Sequence, residues 1–219
     1  MNLRFFIALL LFPFLSFAQV KENPFAGEIR QFARADSIQM PPKNAILFVG
    51  SSSFRMWRGI QDSFPSYTII NRGFGGSTLL DVIHFKNETI YKYQPKQIFI
   101  YCGENDIASS DSITPEMVLE RFRILFRDTR KNLPQVPIAF VSMKPSPSRW
   151  HMKDRLVKGN ELIKTWLQKQ KNVVYIDVWE SMLDAEGKPR QELFIKDNLH
   201  MNEKGYELWE TLIRPFLIQ

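Results

Sequence analysis

Cysteine occurs once in the 219 residues and histidine three times. A single cysteine excludes a disulfide framework within the chain and a cysteine-rich zinc site. Three histidines leave little material for a histidine-rich metal centre. There is no internal repeat, no low-complexity tract and no long linker, which excludes disordered, collagen-like and repeat architectures. What is present is a globular composition, 44% apolar and 24% charged. The length fits one domain, large enough to be held by a packed core without covalent staples. The formal charge of +6 is a weak pointer to an acidic or phosphorylated partner.

The first residues read as an address. Met1–Arg4 is a short basic stretch, and Phe5–Phe17 (FFIALLLFPFLSF) is almost wholly apolar. Ser16 and Ala18 place small residues three and one before Gln19, as a secretory cleavage site requires. The apolar run is shorter than the roughly twenty residues needed to span a bilayer, and Pro13 interrupts it. Residues 1–18 are therefore expected to be a signal peptide. Export implies a periplasmic or extracellular location, with no stable membrane insertion after cleavage. Removing residues 1–18 takes away one charged side chain, Arg4, and five of the eighteen phenylalanines.

Strand and helix patterns alternate through the rest. Residues 19–44 read as an N-terminal helical segment, with Asn23-Pro24 as its start and Phe25, Ile29 and Phe32 on one face. Short apolar runs at Ala45–Val49, Tyr67–Ile70, Gln97–Tyr101, Ile138–Val141 and Val173–Ile176 read as buried parallel strands. Thr114-Pro115 is a cap and start for a helix with Val118, Phe122, Leu125, Phe126, Thr129 and Leu133 on one face. Leu156–Lys169 and Glu203–Leu217 are further helices, the last with Trp209, Leu212, Ile213 and Phe216 inward. The alternation predicts an α/β fold, a mostly parallel five-stranded sheet covered on both faces as a three-layer α/β/α sandwich.

Ligands of such sheets bind beyond the carboxyl ends of the strands. Those ends carry Gly50-Ser51-Ser52-Ser53, then Asn71-Arg72-Gly73-Phe74-Gly75-Gly76-Ser77. The third and fourth are followed by Gly103-Glu104-Asn105-Asp106 and Lys144-Pro145-Ser146-Pro147-Ser148-Arg149-Trp150. Asp197-Asn198-Leu199-His200 lies near the C-terminus. Acyl transfer needs a nucleophile, a base, an orienter for that base, and donors for the oxyanion. Ser52, at a strand-to-helix turn, is the candidate nucleophile, although the serine triplet can equally serve as a helix cap. Asp197 and His200, three apart, can place a carboxylate on imidazole Nδ1 and turn Nε2 toward the serine; a surface turn reads the same way. Asn105 can donate its amide to an oxyanion or close an Asx-turn. The glycines at 73, 75 and 76 can bare a backbone N–H or simply make a turn.

Taken together, the order and placement of these blocks resemble the SGNH hydrolases, the GDSL-like lipases, acylhydrolases and esterases, from about Ala45 to the C-terminus. The resemblance implies a flavodoxin-like hydrolase domain over 45–219 that works without metal or cofactor. It matches Ser52 to the nucleophile, Gly76 to the oxyanion glycine of Asn-x-x-x-x-Gly, Asn105 to the asparagine of Gly-x-Asn-Asp, and Asp197 and His200 to the last block. One departure stands out: the family's Gly-Asp-Ser-Leu reads Gly50-Ser51-Ser52-Ser53, so the local hydrogen bonds must differ. An α/β-hydrolase nucleophile elbow is rejected, because Phe54 stands where Gly-x-Ser-x-Gly needs glycine. Asp and His are also too close in sequence for that fold.

Smaller signals rank below these. Cys102 reads as a core thiol. Arg121, Arg123, Arg127, Arg130 and Lys131 read as the solvated face of a helix, with no case for nucleic acid. His84 is packed or solvated, and His151 lies after the Pro/Ser loop. Trp57 and Trp150 are candidates to stack on a sugar if exposed, and Arg149 to meet an acidic group of the substrate. The expectation is a secreted serine esterase acting on small-molecule or glycan esters, short O-acetyl groups first. A lysophospholipase, a longer-chain acylhydrolase or an acyltransferase would use the same triad. An inactive scaffold acting as a carbohydrate-binding module is the reading from a different class. Oligomeric state is not encoded in any spacing.

Overall fold

The computed structural model describes residues 22–219; the expected signal peptide at 1–18 lies outside the described residues. The helices are α1 (Ala26–Ile38), α2 (Ser52–Arg55), α3 (Ile60–Ser63), α4 (Leu79–His84), α5 (Lys86–Thr89), α6 (Glu104–Ser109), α7 (Pro115–Asn132), α8 (Lys153–Leu167) and α9 (Glu203–Ile213). The strands are β1 (Ile46–Gly50), β2 (Ile69–Gly73), β3 (Gln97–Tyr101), β4 (Ile138–Val141) and β5 (Val173–Ile176). All are parallel, in the order β2-β1-β3-β4-β5. That is the doubly wound flavodoxin-like order, with β1 and β3 side by side at its centre.

Side chains alternate across the sheet and divide the core in two. Leu47, Val49, Ile98, Ile100, Ile138 and Phe140 face α1, α4, α7 and α8. Ile46, Phe48, Phe99, Tyr101, Ala139 and Val141 face Phe54, Ile60, Phe64, Trp209 and Ile213 on the other side. Both faces are therefore dry, as the all-apolar strand runs require. The α7 start is as read: Thr114 Oγ1 accepts from the Met117 N–H at 3.3 Å, and Pro115 opens the helix.

Among the boundaries that differ from the sequence reading, which include α8 starting at Lys153 and ending at Leu167, three bear on packing. The Asn23-Pro24 pair forms a turn, and α1 begins at Ala26: Asn23 Oδ1 accepts from the Phe25 N–H at 2.9 Å. The expected face still packs, with Ile29 buried and Phe25 and Phe32 against the same core. Strand β2 runs on through Asn71 and Arg72 to Gly73, because β1 continues to pair with it; polar residues are tolerated on this edge strand. At the C-terminus Pro215 ends α9 early in a 3₁₀ turn, Arg214–Phe216. The turn changes the helical phase, so Phe216 points outward and Leu217 is buried instead.

Helix α1 is fastened to the edge by a buried carboxylate. Asp36 accepts from Arg72 at 2.6 Å, Lys92 at 2.7 Å and the Tyr93 hydroxyl at 2.7 Å. Burial alone raises its pKa, but bonds from Lys92, Tyr93 and Arg72 outweigh this and hold it below 3.8. A depressed carboxylate contributes stability that is present above its unfolded pKa and is lost as pH falls through the folded one. Asp36→Asn is thus expected to lower the urea midpoint at pH 6, with the gap to the parent closing as pH drops below 3.8. A gap independent of pH refutes the ionic part of this clamp.

Candidate active site

The site is assembled at the carboxyl ends of β1 and β3. Gly50 ends β1 with φ +134°, and a Cβ there would lie 2.0 Å from the Tyr101 carbonyl oxygen. Only glycine permits this approach. Ser51 follows, its N–H donating to Tyr101 O at 2.9 Å, and α2 begins at Ser52. Ser51 and Ser53 are 2% and 1% exposed, whereas Ser52 is half-buried and open to the site. Of the three serines, Ser52 alone is not buried. Ser51 makes no side-chain cap to α2.

His200 Nε2 lies 2.9 Å from Ser52 Oγ, and His200 Nδ1 lies 2.6 Å from Asp197 Oδ2. The carboxylate can only accept from Nδ1–H, which leaves Nε2 to accept from the serine hydroxyl. Asp197 and His200 stand on a tight turn. Asp197 Oδ1 accepts the N–H groups of Leu199 and His200, each at 2.9 Å, and Asn198 adopts φ +55°. Burial pushes the Asp197 carboxyl up, but the His200 ring and these two N–H groups prevail and keep it below 3.8. Asp197 is therefore ionised at neutral pH, as an orienter of a base must be.

Gly76 and Asn105 meet: a Cβ on Gly76 would stand 3.9 Å from Asn105 Nδ2. Among the described residues, no hydrogen bond claims the N–H of Ser52 or of Gly76. Asn105 Nδ2 gives one hydrogen to Ser77 O at 3.0 Å and has a second to spare. Asn71, which served only to mark the motif, clamps the site from below. Its Nδ2 donates to Phe54 O at 2.6 Å and its Oδ1 accepts from the Gly73 N–H at 2.9 Å.

Other expectations are corrected. Trp57 is 3% exposed and stacks on Tyr206 within the core, so it presents no face to a sugar. Trp150 is half-buried, but it lies against Trp179, and Lys153 and Lys188 cover its ring. Arg149 meets an acid, but the protein's own: Nη1 lies 2.9 Å from Glu104 Oε1 and Nη2 donates to Asn105 Oδ1 at 2.7 Å. Arg121 is not on a solvated face, because it pairs with buried Asp106 at 2.7 Å. Asp106 also accepts the Leu79 N–H at 2.9 Å, which ties α4 to α6 and α7. Cys102 is buried, burial pushes its thiol pKa well up, and it packs as read. His84 and His151 are exposed, away from this cluster of bonds.

Sequence reading missed one group altogether. Glu104 is buried beneath Asn105, and its Oε2 accepts from Lys144 Nζ at 3.0 Å and from the Tyr101 hydroxyl. Burial would raise the Glu104 carboxyl, but the charges of Lys144 and Arg149 hold it below its ordinary value. A lysine following a buried strand in apolar company was the available signal.

Comparison with known proteins places the fold and the family. Residues 46–208 match the GDSL-like lipase/acylhydrolase family. A Streptococcus pneumonia protein provisionally named a platelet activating factor superposes with a TM-score of 0.78 at 20% identity, over 88% of this chain and 92% of that one. A GDSL-like lipase from Bacteroides thetaiotaomicron gives 0.72 at 21% identity, over 86% and 96%. A variant of an acetyl xylan esterase from Geobacillus stearothermophilus gives 0.64 at 14%, over 81% and 98%. No curated protein matches the chain in sequence. At these identities the solved structures speak for the fold, whereas the family match spans most of the chain. The chain belongs to the GDSL-like lipase/acylhydrolase family, and it is an ester hydrolase of that family.

Proposed function

We propose that the protein is an exported serine esterase that removes short acyl groups, O-acetyl foremost, from carbohydrates. The observation that carries the chemistry is the unbroken chain Asp197–His200–Ser52. Ser52 Oγ attacks the ester carbonyl as its proton passes to His200 Nε2. The N–H groups of Ser52 and Gly76 and the Asn105 amide receive the negative charge on the carbonyl oxygen. The tetrahedral intermediate collapses, and the leaving alkoxide takes the proton from His200. Water then repeats the sequence on the acyl-serine, releasing the carboxylic acid and restoring Ser52. Asp197 holds the ring orientation throughout and stays ionised.

Support for the substrate class is of two kinds. The Asp197 side chain is 43% exposed, so the triad lies near the surface, where a bulky alcohol such as a glycan can remain largely in solvent. The similar fold of an acetyl xylan esterase supports the acetyl preference. Tryptophan stacking lends nothing, since Trp57 and Trp150 are covered. Export rests on the sequence of residues 1–18.

One preparation tests both parts. Enzyme collected outside the cytoplasm is expected to begin at Gln19 by intact mass. On p-nitrophenyl esters, kcat/KM for C2–C4 acyl groups should exceed that for C12 by at least about tenfold. Best activity on C12 or longer overturns the short-acyl assignment, and an uncleaved N-terminus overturns export.

A further inference from the structure

We propose that Arg149 is a positioning residue for ester hydrolysis, one that fixes the orientation of the Asn105 amide and strengthens it as an oxyanion donor. This rests on the assignment of Asn105 to the oxyanion site.

An asparagine amide can sit either way round, and only its bonds decide. A guanidinium donates and never accepts. The atom 2.7 Å from Arg149 Nη2 must therefore be the oxygen, which leaves the NH₂ group on the side of Ser77 O and Gly76. Without Arg149, one bond to Ser77 O would remain, and rotation about the side chain would cost little. The guanidinium also places positive charge against the amide oxygen. This draws electron density away from the N–H that is to receive the oxyanion.

Arg149 is itself held. Its other Nη group lies on Glu104, whose second oxygen is occupied by Lys144 and Tyr101. The planar fork serves Glu104 and Asn105 together, which a single ammonium cannot do. The 3₁₀ turn Pro147–Met152 that carries Arg149 is also tied to the base: the Ser148 N–H donates to Asn198 O at 3.0 Å. One loop thus sets the amide while touching the turn that sets His200.

The test is a double-mutant cycle on p-nitrophenyl acetate, with Ser52→Ala run alongside. Asn105→Ala is expected to lower kcat by about 10²–10³-fold. Arg149→Ala should lower kcat by about 10–100-fold with KM changed less than about threefold. In the Asn105→Ala background, Arg149→Ala should add less than about threefold, because its effect passes through the amide. Arg149→Lys should fall between Arg149→Ala and the parent, and it carries the cycle if circular dichroism shows Arg149→Ala unfolded. Losses that multiply, or a rise in KM at constant kcat, overturn the proposal. If Ser52→Ala is inactive and the losses multiply, only the role of Arg149 falls. If Ser52→Ala is active, the assignment of the whole site falls with it.

Discussion

Replacing Ser52 by alanine is expected to lower kcat for p-nitrophenyl acetate by about 10⁴-fold or more, since nucleophile and base act as a unit. The fold should survive. The Ser52 hydroxyl is hydrogen-bonded to His200, and the serine lies at the first turn of a helix where alanine is well accommodated. Far-UV circular dichroism and the thermal midpoint should therefore match the parent. A fluorophosphonate should label the parent on Ser52 and leave the variant unlabelled. Adduct on Ser51 or Ser53 would contradict the burial argument, because both serines are buried. Residual hydrolysis above water is expected from the surviving N–H donors, which do not need the serine hydroxyl.

The second large effect concerns stability. Glu104→Leu is expected to cost about 3–5 kcal/mol of unfolding free energy, because it strands a buried lysine. Lys144 is 1% exposed, and its ammonium has Glu104 as its ion-pair partner. Burial already lowers the Lys144 pKa, and the Glu104 charge opposes that shift. Without the carboxylate, Lys144 must either carry an unpaired charge or release its proton on folding. In a domain of this size the loss corresponds to a fall in thermal midpoint of roughly 6–20 °C. Urea unfolding at pH 7 measures it. A loss below about 1 kcal/mol would mean that the pair is balanced by its own desolvation.

The sequence exposed the parts of the fold that depend on local pattern. Strands β1, β3 and β4 were legible because each is a short apolar run buried on both faces, and β5 because it is an equally short apolar run, half-buried at the sheet edge. The end of β2 was not, because Asn71 and Arg72 look like loop residues until the register with β1 is known. Phe216 was placed inward because helical phase was carried past Pro215. In the candidate site, Ser52, Asn105, Asp197 and His200 could be singled out because acyl transfer needs those residue types at strand ends, and Gly76 because of the family motif it matches. Arg149 and Trp57 were misread for one reason. Whether a polar or aromatic side chain faces substrate or protein depends on neighbours far away in sequence. Glu104 and Lys144 are forty positions apart, as are Asp36 and Arg72 nearly, and no local spacing announces either pair.

The close passage of Gly50 against Tyr101 has a consequence for how this enzyme can diversify. Ser52 leaves β1 two residues beyond that contact, and Asn105 leaves β3 four residues beyond it. The spacing of the two main-chain segments that carry Ser52 and Asn105 is thus fixed at a point where no side chain fits. Mutation can reshape the surroundings of the site without altering that spacing, provided that Arg149, Asp197 and His200 are kept. Substrate preference is free to drift while that spacing stays constant, and position 50 is where that separation would fail.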